Sequence, residues 1–354
     1  MNKSVATLLS GVALVALSAG VAQSQELPDT ELTFVGSWSG LSLHRNFEQP
    51  FWGEHIPEAS DGAIQVEVTT FDQMGLGGGE VYRLLSNGVF DMGATVADYT
   101  VEDSPELEGL DMPIIAPDAE LAWEVAESYK PVLERAFNER FDSKLISVVP
   151  YPAQVVFCNV EITSLADLEG KQIRASGRST AEFLEALGAE GITLNYAEVP
   201  GALQRGVVDC AVTGSLSGYS SGWHEVSTHL LPLPIGGWDH VVTAMNLPKW
   251  ESLDPQVQEF LLQEVEENFE RPVWETAVEE TEEGVACLTG QGECTRGDAG
   301  SMVLVEVSEE DFERGKQLLT DEVLPRWAAR VDQEWVDLWN DTIGAKVGLT
   351  AERR

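Results

Sequence analysis

Glu80-Val-Tyr-Arg-Leu-Leu-Ser-Asn-Gly-Val-Phe-Asp91 recurs later in the chain as Glu198-Val-Pro-Gly-Ala-Leu-Gln-Arg-Gly-Val-Val-Asp209. The two copies agree at Glu80/Glu198, Val81/Val199, Leu85/Leu203, Gly88/Gly206, Val89/Val207 and Asp91/Asp209. Each copy reads as one unit: a short helix opening at the acidic residue, a glycine that ends it in the left-handed conformation, and a buried strand from the following valine. Solenoid repeats recur every ~20 to 50 residues, so copies this far apart instead imply two similarly built α/β lobes in one chain. Facing lobes enclose a cleft. Ligands of open α/β sheets bind beyond the carboxyl ends of the strands, and there Thr95 and Thr213 occupy equivalent positions.

Working outward, Leu32–Gly36, Ile64–Thr70 and Val89–Val96 read as strands of the first lobe, with Lys144–Val149 stopped by Pro150. Val155–Cys158, Gln172–Ala175 and Val207–Val212 supply the second, with a helix over Thr180–Leu187. Asp118 opens an amphipathic segment with Leu121, Val125, Tyr129, Val132 and Ala136 at helical spacing; Pro131 inside it predicts a kink or the cap of a second helix. Beyond Asp254 the pattern is helical, over Asp254–Ala286 and Glu309–Asn340, with acidic outer faces.

The amino terminus reads as a secretory signal peptide over residues 1–24: Lys3, an apolar run Val12–Ala22, and small-x-small cleavage sites at Gly20-Val-Ala22 or Ala22-Gln-Ser24. The apolar run is too short and too weakly hydrophobic for a membrane span of about 20 residues, so a freely soluble, periplasmic mature protein is expected. The formal net charge is −39. Such an acidic surface disfavours nucleic acid and anionic membranes as partners, and any anion must be captured by a local positive site. The 43% hydrophobic content and ten Trp oppose disorder, and the charge suits a salty habitat, where a short Debye length screens surface repulsion. Four cysteines in an exported chain allow three pairings. The expected one joins Cys287 to Cys294 around a Gly-rich loop and leaves Cys158 with Cys210 on two strands of the second lobe. No Cys-x-x-Cys spacing and no His cluster supports a metal, and no cofactor is expected.

The most specific constellation is Leu168-Glu-Gly-Lys-Gln-Ile-Arg174-Ala-Ser-Gly-Arg178-Ser179-Thr-Ala-Glu182. Arg174 closes a strand that runs into a helix start, where Ser179 and Glu182 form a capping-box pattern. Ser176 lies between the two. A guanidinium offers paired bonds to a carboxylate, and a helix N-terminus adds partial positive charge. The competing motifs are weaker. Gly218-Tyr-Ser220-Ser-Gly222, with Asp239 and His240 downstream, matches a hydrolase nucleophile pattern. It lies several residues past its strand, however, and an adjacent acid and histidine point opposite ways on a strand. Gly77-Gly-Gly79 lacks the Lys-Ser/Thr ending of a phosphate loop and reads as a turn before the Glu80 helix.

Asp167-Leu-Glu-Gly-Lys-Gln-Ile-Arg174, the Glu198–Asp209 segment, Gly109-Leu-Asp-Met-Pro113 and Trp250-Glu-Ser-Leu-Asp-Pro255 together resemble the DctP-like substrate-binding proteins of TRAP transporters, the tripartite ATP-independent periplasmic carriers. The resemblance covers nearly the whole mature chain. It implies a two-lobed, hinged periplasmic binding protein of type II-like fold with long C-terminal helices. Lobe 1 would comprise residues 25–151 and about 240–280, and lobe 2 residues 152–239 and about 281–354. It further implies a non-enzymatic, monomeric protein that closes on an organic acid and delivers it to membrane subunits driven by an ion gradient. Arg174 falls on the family's carboxylate-binding arginine. Thr213 falls where many members carry an asparagine, and Gln154 where sialic-acid-binding members carry a second arginine. Loss of that second cation favours a monocarboxylate, because a buried unpaired charge is costly. Trp38 and Trp238 are candidate walls for an aromatic or otherwise unsaturated acid. The alternatives are a C4-dicarboxylate or sugar-acid receptor of the same family, a sensory module, and a secreted hydrolase using Ser220.

The charge reading predicts that the melting temperature of the purified protein rises from low salt to about 2 M NaCl as repulsion is screened. A melting temperature independent of salt would contradict it.

Overall fold

The structure, a computed structural model, describes residues 27–353; the signal peptide expected over residues 1–24 lies outside them. Two sheets organise the chain. The first contains β1 (Thr30–Gly36), β2 (Ile64–Thr70), β3 (Met92–Val96), β4 (Ser143–Val149) and β10 (Val241–Asn246), in the order β2-β1-β3-β10-β4. The second contains β5 (Gln154–Cys158), β6 (Gln172–Ala175), β7 (Glu190–Thr193), β8 (Cys210–Gly214), β9 (His229–Leu231) and β11 (Val303–Leu304), in the order β11-β9-β5-β8-β6-β7.

Read from β2 and from β7, the sheets are copies of one plan. In the first, β1 is parallel to β2 and β3, and β10 runs antiparallel to β3 and β4. In the second, β6 is parallel to β7 and β8, and β5 runs antiparallel to β8 and β9. The strand that breaks the parallel pattern is borrowed each time. Strand β10 returns to the first sheet after β5 to β9 have been laid down in the second, and β5 enters the second directly from the first. The connections therefore cross between the sheets in both directions.

The repeated segment explains itself in this plan. Val81 and Leu85, like Val199 and Leu203, are buried beneath short helices over Val81–Ser86 and Val199–Gln204, and Gly88 and Gly206 take φ of 68° and 65°. The strands begin later than the pattern predicts, at Met92 and Cys210. Val89 and Val207 are exposed, because the chain needs further residues after each glycine to turn into the sheet. The repeated aspartates fasten that turn. Asp91 accepts from Thr33 N (2.8 Å) in β1, and Asp209 accepts from Gln172 N (2.9 Å) in β6, the equivalent strand.

Asp118 caps its helix by accepting from Leu121 N (2.9 Å), and the helix runs unbroken over Ala119–Phe141 with Pro131 inside it rather than at a second start. The first acidic stretch is helical from Pro255 to Thr289; the second is interrupted at Val331-Asp332 between helices over Leu324–Arg330 and Gln333–Trp339. The Arg271–Thr289 helix bridges the two sheets. Its Trp274 Nε1 donates to Val148 O in β4 (2.9 Å), while Thr281 O accepts from Ser215 Oγ (2.9 Å) just after β8. Gly284 is small for the same reason, since a Cβ there would lie 2.3 Å from Leu216 N. Among the described residues no helix is long and apolar enough to cross a membrane.

Both expected disulfides are present, Cys158–Cys210 and Cys287–Cys294. The first joins directly opposed residues of β5 and β8 and spans 52 residues; the second spans 7. Because the longer loop constrains the unfolded chain more, replacing Cys158 and Cys210 by Ala should cost about 2–4 kcal/mol in urea unfolding, and replacing Cys287 and Cys294 less. Equal costs, or the reverse order, would contradict this account.

Candidate functional site

The carboxyl ends of β1, β3 and β6 converge on one cavity of about 510 Å³. Trp38 reaches it from the end of β1, Asp98 and Tyr99 from the end of β3, and Arg174, Ser176 and Arg178 from β6 and the helix behind it. Tyr196 and the turn Gly77-Gly-Gly79 complete the lining. This is where the strand plan places a ligand in an open α/β sheet, and both sheets contribute. A second hollow, of about 420 Å³ beside β4, already has its charges matched, with Lys130 on Glu127 (2.5 Å) and on Glu270 (2.9 Å).

Arg174 is 2% exposed and is braced from behind. Its Nε donates to Leu194 O (3.0 Å) and its Nη1 to Val212 O (2.7 Å). Those bonds fix the guanidinium plane and leave the Nη2 hydrogens for the cavity, with the Tyr99 hydroxyl alongside. Burial pushes the Tyr99 phenol up to about 12, so it stays protonated as a hydrogen-bonding group. An aromatic wall faces the arginine. Trp38 packs edge-on to Phe71 (4.8 Å between ring centroids) and against Tyr196 (5.4 Å), and its Nε1 donates to Tyr99 Oη (3.4 Å).

The helix behind Arg174 starts two residues earlier than the capping-box pattern predicts. It spans Arg178–Leu187 with Gly177 as its cap, so Ser179 is inside the first turn and its hydroxyl does not cap. Glu182 is instead taken by Arg330 (2.5 Å) from a C-terminal helix. The reason is steric. A Cβ at Gly177 would lie 1.4 Å from Asp98 Oδ2, so the first sheet's Asp98 presses on the helix start of the second sheet, and only glycine fits between them.

Acidic groups crowd this region. Burial pushes Asp98 well above the carboxylate range, and Glu108, Asp239 and Asp111 add to the shift while Arg178 opposes it. Asp239 is pushed up to about 7, first by burial and then by Asp111, with Arg174 and the Ser176 hydroxyl pulling the other way. Asp111, in the Gly109–Pro113 segment, builds the turn that carries Asp239. Its carboxylate accepts from Trp238 N (2.8 Å) and His240 N (3.3 Å), and Asp239 itself sits at φ 40°.

The other candidate residues are placed as follows. Thr95 is fully buried on β3 under Gly78, whose Cβ would lie 2.8 Å from its hydroxyl oxygen. Thr213, on β8, is buried beside the Tyr196 hydroxyl. Neither is in the cavity lining itself. Gln154 is 1% exposed, with Nε2 donating to Pro152 O (2.7 Å). Trp238 is a core residue whose Nε1 donates to Ala116 O (3.0 Å), so it does not wall the cavity. Ser220 ends a short helix over Ser215–Ser220 and is exposed, not raised on a strand-to-helix elbow. Asp98, Tyr99 and Tyr196 were not singled out from the sequence. The first two lie three and four residues after Thr95, just past the end of β3.

A cleft between two like-built α/β sheets, with a braced arginine at its floor, defines a receptor for a small solute. The chain belongs to the family described as bacterial extracellular solute-binding protein, family 7 (DctP), whose model matches residues 43–293. It is 26% identical over 224 residues to the ectoine-binding periplasmic protein TeaA of Halomonas elongata, a match covering 61% of this chain and 63% of that relative. Among solved structures it resembles DctP7 of Bordetella pertussis, an extracytoplasmic solute receptor binding pyroglutamic acid. The TM-score is 0.76 at 20% identity, covering 88% of this chain and 99% of that one. A TRAP periplasmic solute-binding protein from Desulfovibrio salexigens with bound orotic acid superposes with a TM-score of 0.78 at 20% identity, over 89% of this chain and 99% of that one.

Because Asp239 has a higher proton affinity folded than unfolded, its contribution to stability is present at low pH and is lost as pH rises through about 7. Asp239→Asn should therefore leave the unliganded melting temperature nearly unchanged at about pH 4 and raise it relative to the parent at about pH 8. An offset that stays constant across that range would contradict the assignment.

Proposed function

We propose that this protein is the solute-capturing subunit of a TRAP transporter, working in the periplasm without enzymatic activity. It takes an organic acid by its carboxylate into the cleft and presents it to membrane subunits. In this reading, lobe 1 is residues 25–151 with about 240–280, and lobe 2 is residues 152–239 with about 281–354. The observation that carries the proposal is Arg174, a buried cation whose rear hydrogen bonds are spent on carbonyls and whose front faces a cavity. A guanidinium so held is pre-organised for a carboxylate, and the acidic exterior does not compete with it because Arg174 is buried.

A single monocarboxylate fits better than a dicarboxylate. Arg178, the other cation of the lining, already faces Glu108 (3.6 Å), and Gln154 is turned onto Pro152. The wall of Trp38, Tyr99 and Tyr196 favours a flat or unsaturated skeleton. Pyroglutamic and orotic acids, bound by the two structural relatives, are acids of that size. Closure couples to affinity because a ligand touching both sheets stabilises only the closed form. Ser176 would add a hydroxyl to the carboxylate's surroundings, and Thr95 and Thr213 would support the site from beneath on the two sheets.

A thermal-shift screen of the mature protein against aliphatic, aromatic and sugar acids tests this proposal. A ligand at 100 times its dissociation constant should add about 2.7 kcal/mol of stability. Arg174→Ala should remove about 2–5 kcal/mol of the binding free energy. Undiminished affinity in that variant would place the carboxylate elsewhere.

A further inference from the structure

Trp38 brings the largest ring to the cavity, and the backbone that carries it is held on both sides. Strand β1 ends at Gly36, so Ser37, Trp38 and Ser39 lie on a connecting segment, where a chain is ordinarily more mobile than in a sheet. Two carboxylates hold this one. Glu48, at the end of the helical turn Leu43–Glu48, accepts from Ser37 N (2.9 Å) through the same Oε2 that meets His44 Nδ1 (2.9 Å). Asp72, just past β2, accepts from Ser39 N (3.1 Å) with one oxygen and from Ser39 Oγ (2.6 Å) with the other. Trp38 O completes the turn by accepting from Leu41 N (3.1 Å). Gly36 leaves room for the first brace, since a Cβ there would lie 2.6 Å from Glu48 Oε2.

These braces act on the ring as well as on the chain. Asp72 follows Phe71, which packs edge-on against the indole, so one short segment holds both the backbone and the ring of Trp38. Glu48 is 0% exposed, and enclosing an ionisable group is costly, so its place beside the wall residue asks for a reason in the site. Hydrogen bonds from backbone N–H groups to carboxylates are among the stronger ones, and a side chain ordered in advance loses little further freedom when a ligand arrives.

Resting on the carboxylate reading above, we propose that Glu48 and Asp72 are positioning residues for selectivity: by clamping the backbone on either side of Trp38 they hold the indole as a rigid wall, which gives the cavity a preference for flat acids over saturated acids of the same size. A flat ring keeps full contact with a fixed indole. A puckered ring meets a wall that cannot yield, and such built-in obstruction discriminates where a loose wall would accept both shapes.

The test uses acids matched in size and differing in ring saturation: benzoate against cyclohexanecarboxylate, 2-furoate against tetrahydro-2-furoate, and orotate against dihydroorotate. Each is titrated calorimetrically into the mature protein and into its Glu48→Ala, Asp72→Ala and Arg174→Ala variants. In the parent, the flat member of at least one pair should bind more tightly by about 5-fold or more, within the range that an aromatic contact contributes. Glu48→Ala and Asp72→Ala should each bring that ratio below about 2-fold while binding still depends on Arg174, the freedom regained being that of one side chain. Glu48→Gln and Asp72→Asn, which keep an acceptor for the Ser37 and Ser39 N–H groups, should restore most of the ratio. A purely structural brace would weaken both members of a pair alike, so an unchanged ratio in Asp72→Ala overturns the inference even where Glu48→Ala fails to fold. Equal or tighter binding of the saturated member of every pair to the parent, with Arg174-dependent affinity, overturns it too and leaves the carboxylate reading standing. Binding indifferent to Arg174, or absent for every acid of the panel, removes that reading and this inference with it.

Discussion

The structure depends on one buried cation. Arg174 sits at the end of β6 with Leu194 and Val212 carbonyls holding its guanidinium, in a chain whose formal net charge is −39. An arginine enclosed this way cannot be paired by the surface carboxylates that surround the protein. The same positive charge opposes the burial that raises the proton affinity of Asp239. The paired rear bonds also make the site rigid, so binding requires little further ordering of the side chain.

What brings that arginine to a cleft is duplication of a sheet plan. Each sheet places a parallel trio of strands with a borrowed antiparallel strand, and in each the repeated Asp after the glycine secures the neighbouring strand. The carboxyl ends of the two trios then face one another. Where they meet, Asp98 of one sheet lies so close to Gly177 of the other that no side chain fits. Contact this intimate between the two sheets makes the packing of Asp98 against Gly177 part of the geometry of the site.

Much of this was legible in the sequence, and the reasons are specific. The repeat gave away the two-sheet plan because helix, glycine and aspartate all have backbone duties that demand those residue types. Arg174 stood out because a strand-loop-helix passage surrounds it. The strand starts at Met92 and Cys210 were not legible, since Val89 and Val207 are apolar yet exposed on the turns, and hydrophobicity alone assigns them to the strands. Trp238 was ambiguous for a related reason: an indole is equally at home in a wall or a core, and only its bond to Ala116 O decides. The position of Asp98, just past the end of β3, was legible, but its packing role was not. Its meaning comes from Gly177, which is distant in the chain and opposite in space.

A crystal structure of the mature protein with the acid that stabilises it most would test the central claim directly. The account predicts a carboxylate oxygen of the ligand within hydrogen-bonding distance of Arg174 Nη2, with the Leu194 and Val212 contacts retained and Trp38 against the ligand's skeleton. A ligand seated elsewhere, with Arg174 making no contact to it, would contradict the account.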